Sequence, residues 1–419
     1  MTRLSGTGNV LLTDSVIAKE ALRLLKNELV YARLVHRNLE RAFGQIGDTI
    51  SIKLPFRTKT ASGRVLVKQP MTDRVTTLKI DRQEHFGLEF TQNDRTLAIG
   101  QFSERYLSSG MSQLAHQVDK SIADVATQEF FFSSGTPGTA VNTDNWADAM
   151  AFMEMVGVPM DGKMSTVLNP LDGAAIAKDV KKLAHEGLVK QAIERSYIGP
   201  LSDMRAFRTA QQPPHTVGPL GGTPLVNGAS QGAAGTIASD GWTAAAAVRL
   251  NKGDVFTVAG VFEINPRTYV STGRLQRFVV TASVSSDGAG AASIPISPTM
   301  NDGTATTVDA DGNNVSLAAY QNVTNYPADN AAITVIGTAA TTYRQDVCFH
   351  KDAIALAVVD IELPETAVVA KRVRDPQSGL SLALTAAYDI TNFKQIYRID
   401  VLWGVKAIYP ELGHRIFSA

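Results

Sequence analysis

Several stretches of the sequence carry residue types at spacings that could do chemistry, and each lacks a part that the chemistry needs. Gly228-Ala229-Ser230-Gln231-Gly232 has the pattern of a nucleophile elbow. In hydrolases that pattern forms a sharp strand-to-helix turn that lifts the serine into the site. Here it lies in a Gly/Ala/Ser stretch with no strong strand before it and no amphipathic helix after it. A serine hydrolase using Ser230 stays as an alternative only. Gly157-Val158-Pro159-Met160-Asp161-Gly162-Lys163-Met164 is close to a phosphate-binding loop. Met164 stands where the magnesium-binding Ser or Thr belongs, and Pro159 removes a backbone N–H that the loop would use. A turn with a solvated Lys163 is the simpler reading. His185-Glu186 starts like a zinc-protease motif, but residue 189 is Val. Asp309, Asp311 and Asn313 could ligate calcium but lack the closing bidentate Glu. Cys348, close to His350, reads as a buried structural thiol rather than a nucleophile. No catalytic, cofactor-binding or metal-binding constellation emerges.

The wider composition points the same way. Forty basic and forty acidic residues leave a formal charge of zero, which argues against holding nucleic acid by bulk positive charge. Charged residues are 19% of the 419, below the usual quarter, so part of the surface is expected to be buried in an assembly. A single cysteine excludes a disulfide framework and any site built from several thiolates. The N-terminal residues lack the apolar core of a signal peptide. The run Ala353–Val359 is too short to span a bilayer. A soluble protein made inside the cell, with no membrane partner, is expected.

Periodicity supplies the elements. Ile17, Ala21, Leu25, Leu29, Ala32, Val35, Leu39 and Phe43 recur at helical spacing, predicting a helix from Asp14 to about Phe43 capped by Thr13 or Asp14. From Ser51 to about Phe90 the period becomes two, in strand-like runs broken by Pro55, Gly63 and Pro70. Between Ser51 and Arg82 eight basic residues face only Asp73 and Asp81, a net +6. A hairpin so basic and so poor in apolar residues is not stable alone. It is expected to lie on an acidic surface, with Arg57, Lys59, Arg64, Lys68 and Arg74 as candidate contacts to a neighbouring subunit. A second helical pattern runs from about Asp94 to Phe131, roughly 50–60 Å long, with Gly100 and Gly110 as expected bends. From Gly218 the chain turns Gly-, Ala-, Thr- and Ser-rich, with short strands and Asp-Gly turns and a net −3 over 218–347. This predicts a small β-barrel inserted into a host domain that resumes after it.

That order of parts resembles the major capsid proteins of tailed phages with the Hong Kong 97-type fold, and most nearly the P-22-type coat proteins with an inserted domain. The strings that carry it are Val167-Leu168-Asn169-Pro170, Cys348-Phe349-His350-Lys351-Asp352-Ala353-Ile354-Ala355-Leu356-Ala357, Val401-Leu402-Trp403-Gly404-Val405-Lys406-Ala407 and Tyr409-Pro410-Glu411-Leu412. The resemblance implies an α+β fold with an N-terminal arm helix (1–50), an extended β-hairpin (51–90) and a spine helix of a peripheral domain (91–135). It implies an axial domain in two parts (136–217 and 348–394), the inserted barrel (218–347) and a C-terminal peripheral strand (395–419). It further implies a non-enzymatic shell protein that assembles with itself into hexamers and pentamers of an icosahedral, T=7 capsid. The partners it implies are a scaffolding protein, a portal protein at one vertex, and double-stranded DNA held by weak non-specific contact. Assembly would take place in the host bacterial cytoplasm. No lysine, asparagine and acid can be assigned to a covalent crosslink. An encapsulin-like cargo shell of the same fold competes with this reading, as does a plain β-rich binding protein.

Overall fold

The computed structural model describes residues 14–37, 49–60, 63–64, 74–91, 107–180, 204–308, 314–364, 369–374, 380–392 and 394–419. Among the described residues no helix is long and apolar enough to cross a membrane.

The arm helix, Asp14–Glu28, buries the predicted stripe of Ile17, Ala21 and Leu25. It does not continue as periodicity predicts. A short turn of helix, Tyr31–Leu34, follows after a break at Leu29 and Val30. The cause is Asp119, a buried carboxylate that accepts the Val30 N–H at 2.6 Å and the Ala32 N–H at 3.1 Å. In a continuous helix those N–H groups would bond carbonyls four residues back. The arm ends on the strand Ile354–Val359, where His36 donates its N–H to Ile354 and accepts from Leu356. Leu39 and Phe43 lie outside the described residues.

The spine helix is described over Ser108–Glu129, 22 residues or about 33 Å; the predicted start at Asp94 and the expected bend at Gly100 lie outside the described residues. Met111, Leu114, Val118, Ile122 and Val125 form its buried face. Gly110 serves close approach: a Cβ there would lie 2.1 Å from the ring of Phe86.

Phe86 sits on Arg82–Thr91, which sequence reasoning assigned to the hairpin. This strand instead pairs antiparallel with Lys394–Ala407 in a five-stranded sheet with Ile354–Val359, Ser381–Asp389 and Val369–Arg374. The spine helix lies on this sheet, and Trp403 Nε1 donates to Ser121 Oγ at 2.9 Å. The hairpin proper is Thr49–Leu54 with Arg74–Lys79. It has a small core at its root, where Ile50 and Leu78 meet Ala355, Ala357 and Ile408.

A second five-stranded sheet runs in the order Phe132–Ser134, Gly413–Phe417, Gln345–His350, Met164–Leu168, Arg205–Arg208, with its outermost pairs parallel. The helices Thr143–Val156 and Pro170–Val180 accompany it. Sheet membership therefore divides the chain differently from the segments drawn on sequence. Most strands of 348–394 join the spine sheet, whereas Gly413–Phe417 and Phe132–Ser134 leave it for the second one. The apolar run Ile354–Val359 and the mixed run Gln345–His350 are both buried almost throughout, so periodicity carries no label for the sheet they enter.

The inserted domain is a six-stranded antiparallel sheet ordered Ile333–Val335, Val255–Ile264, Ser271–Val280, Ala292–Ser297, Thr236–Trp242, Gly222–Val226. Its two edges meet through the Leu225–Ala332 bridge and the Val226–Ala331 and Asn330–Val226 hydrogen bonds, so the barrel is nearly closed. Phe256, Phe278, Ile237 and Ile294 fill it. The chain enters through His215–Thr216 and leaves through Thr342–Tyr343, and these two short strands pair. The insertion thus ends before Gln345, which already belongs to the host strand; the expected boundary at 347 is three residues late.

Gly110 gives a test. Alanine normally stabilises a helix interior over glycine by about 0.5–1 kcal/mol. Here Gly110→Ala is expected to destabilise by about 1–3 kcal/mol through overpacking against Phe86, read as a lowered urea midpoint. In a Phe86→Ala background the same change should become neutral or stabilising.

Candidate functional site

Two of the sequence motifs are structural turns. Gly228–Gly232 joins two barrel strands, not a strand to a helix. Ser230 has φ of 59° and donates its N–H to Pro327, while Gln231 bonds the backbone of Gly228 and Ala238. Gly157 is the left-handed C-cap of the helix Thr143–Val156, and Lys163 pairs with Asp161 at 2.6 Å. Cys348 is fully buried beside Thr166 Oγ1, and burial pushes its thiol up to about 12, which keeps it protonated and unreactive. His185, Asp309, Asp311 and Asn313 lie outside the described residues. Among the described residues no group of three or more His, Cys, Asp or Glu could hold a metal ion.

What the fold does build is a set of charged contacts between parts distant in sequence. The basic hairpin is the first. Arg57 forms a 2.7 Å ion pair with Glu411 of its own chain, and its N–H donates to Tyr320 of the inserted domain. Lys59 lies 4.4 Å over the ring of Tyr269. Both residues follow Leu54, at the turn end of the paired strands, and tie that end to the C-terminal turn and the inserted domain of their own chain. Gly404 lets the root of the hairpin pass close, since a Cβ there would lie 2.1 Å from the Lys79 carbonyl oxygen. Arg64 is exposed. Arg74 opens the second strand opposite Leu54, and Lys68 lies outside the described residues. A cleft of about 830 Å³ opens between the segment after Leu54, the barrel and the C-terminal turn, lined by Arg57, Glu263, Tyr269, Met300, Tyr320 and Leu412 among others.

The second set is the seam between inserted domain and host. Arg415 is fully buried and donates from Nη1 to the carbonyls of Thr127, at the end of the spine helix, and of Gly253, in the insertion. Gln345 Oε1, on the host strand, lies 3.4 Å away. Burial pushes its guanidinium down to about 9, still charged at neutral pH. At the neck, Asp254 accepts from the backbone of Gly218 and Asn251 and pairs with His215 at 2.7 Å. From the barrel, Arg277 donates to Ser133 Oγ at 2.7 Å, and Arg274 lies 3.3 Å over Phe152. Arg267 and Asn265 donate to the carbonyls of Gly157 and Met155. Burial, then Arg274, brings Arg277 down to about 10.

The third set ties the arm. His36 Nδ1 meets Asp352 at 3.0 Å, His350 Nδ1 reaches the same carboxylate at 3.7 Å, and His350 Nε2 meets Asp161 at 3.0 Å. Lys163, and secondarily His350, hold the Asp161 carboxyl well below the usual carboxylate range. Sequence reasoning missed Arg415, Asp254 and Asp119. The one signal in the sequence was a polar pair, His414-Arg415, before the apolar Ile416-Phe417.

A family described as P22 coat protein - gene protein 5 matches residues 8–418. No curated protein matches the chain. Solved structures that resemble it include one from Mycobacterium phage Che8, with 14% identity over 93% of this chain and 90% of that one and a TM-score of 0.47. Another is the capsid of Cyanophage P-SCSP1u, with 9% identity over 93% and 88% and a TM-score of 0.44. A third is a virus-like particle from Pyrococcus furiosus, with 6% identity over 96% and 98% and a TM-score of 0.41.

The two classes of contact differ in weight. Glu411→Gln removes a half-exposed ion pair and is expected to change stability by no more than about 1 kcal/mol. Arg415→Met leaves buried carbonyls without their donor and is expected to cost about 1–3 kcal/mol. Urea titrations of both variants check the contrast.

Proposed function

The chain belongs to the P22 coat protein family, and from that membership we propose that it assembles with itself into hexamers and pentamers of an icosahedral shell around double-stranded DNA. It is a phage coat protein with the Hong Kong 97-type fold carrying an inserted barrel, and its place is the capsid of the virion. The observation that carries the reading is the family match, which runs through arm, hairpin, spine, insertion and C-terminal strands alike.

Assembly proceeds on a scaffolding protein in the host bacterial cytoplasm, with a portal protein at one vertex. The hairpin lies over a neighbouring subunit. Arg57 and Lys59 fix it within the chain just past its first strand, and Arg64, Lys68 and Arg74 reach acidic groups next door. Each such exposed pair is worth only about 0–1 kcal/mol; repetition around a closed shell makes the sum cooperative. Contact with DNA is weak and non-specific, in keeping with a neutral chain. The inserted domain reaches across between capsomers.

Reversing Arg64 and Lys68 to Glu tests the reading. Turning two attractions into repulsions of about 1 kcal/mol each should raise the concentration needed for assembly by roughly tenfold or more, leaving the monomer folded. Sedimentation velocity and negative-stain microscopy, with and without the upstream genomic neighbour as scaffold, read the result. Shells of normal yield and size from the double variant would remove the hairpin from this role. A monomer under every condition, for the unaltered chain, would remove the assembly reading itself.

A further inference from the structure

His414 is fully buried, and neither ring nitrogen has a hydrogen-bond partner among the described residues. Its strand pairs with Phe132 on one side and Cys348 on the other. Its ring lies 5.9 Å from Phe152, the same ring that carries the Arg274 guanidinium. The barrel strand that supplies Arg274 also supplies Arg277, which reaches Ser133 next to Phe132. A histidine without an acceptor, set beside two arginines of another domain, is an uncommon use of a buried polar side chain.

We propose that docking of the inserted domain on the host body is released by acid, with His414 as the group that takes the proton. An imidazolium carries two N–H donors and no acceptor. In this place it would add a positive charge beside Arg274 and Arg277, with nothing to receive its hydrogens. The least costly route to water is to part the strand Ser271–Val280 from the strand Gly413–Phe417 and the helix Thr143–Val156. The seam there is thin: Phe131, Phe132, Val156 and Val279 form a cluster of their own, separate from the barrel and host cores. The neck strands His215–Thr216 and Thr342–Tyr343 lie elsewhere and would keep the domain tethered.

The charged surroundings fix the sign. Burial first, then Arg277, Arg274 and Arg415, hold His414 well below its ordinary 6.5. Arg415 comes from the same strand, Arg274 and Arg277 from the barrel. Asp148, on the helix, and Glu263, on the neighbouring barrel strand, act on the arginines. Docked, His414 stays neutral as pH falls below about 6.5; undocked, it takes a proton there, so acid favours the open form. Glu263 opposes this. Burial raises its carboxyl, so the docked form gains from its protonation, in a range starting nearer to ordinary carboxylate values.

Hydrogen exchange on the unassembled full-length chain tests the proposal independently of shell formation. After correction for intrinsic exchange, amides in 130–134, 153–158 and 271–280 should open roughly tenfold more between about pH 6.5 and pH 5.5. The barrel strand Thr236–Trp242 serves as reference and should not change. His414→Gln and His414→Phe should each flatten the response. A flat profile in the unaltered chain overturns the proposal, whether or not the variants fold. So does a response that persists in a folded variant, or one that the reference strand shares.

Discussion

A guanidinium sealed from water needs acceptors, and Arg415 finds them in both the host body and the inserted domain. Its carbonyl partners lie at the end of the spine helix and in the inserted domain, and Gln345 flanks it from the host strand. The Arg415 Nε and Nη2 are buried without a partner among the described residues, so the charge rests on the contacts of Nη1. Domain placement is tied to those few contacts. Asp254 does the complementary work at the neck, where one carboxylate receives two backbone N–H groups and His215. The inserted barrel has its own core and sheet, yet these polar anchors give it a defined seat.

The spine helix plays the same part for the other elements. Asp119 breaks and seats the arm, Ser121 receives Trp403 while its carbonyl takes Arg82, and Gly110 admits Phe86. Arm and spine sheet are each referred to this helix. The hairpin rests elsewhere: its root packs on Ala355, Ala357 and Ile408, and past its paired strands Arg57 and Lys59 tie it to Glu411 and Tyr269.

The elements read best from sequence were those whose burial is one-sided. The arm stripe and the spine stripe show clean helical spacing because each helix covers one apolar surface, and the insertion announces itself by composition and Asp-Gly turns. The break in the arm was not legible, because its cause, Asp119, lies 89 residues away and the local sequence keeps helical periodicity. The placement of Arg82–Thr91 in the spine sheet was equally hidden: alternation marks a strand but not its partner. Of the five basic residues chosen as contacts, charge count alone found the cluster. It had no means to separate Arg57 and Lys59, whose partners Glu411 and Tyr269 come from the far end of the chain and from the insertion.

The paired strands at the neck bear on how the host sheet can form. Gln345–His350 must find Met164–Leu168 across the whole insertion. With the insertion unfolded, that means closing a flexible loop longer by about 125 residues. Loop entropy rises by about 0.6 kcal/mol per doubling of length. Once the barrel is folded and Thr216 sits beside Thr342, only the segments 169–216 and 342–344 remain in the loop, about 50 residues in place of about 176, just under two doublings fewer. The difference is about 1 kcal/mol of chain entropy. An autonomous domain placed mid-chain thus acts as a clasp that shortens the search of the strands on either side of it.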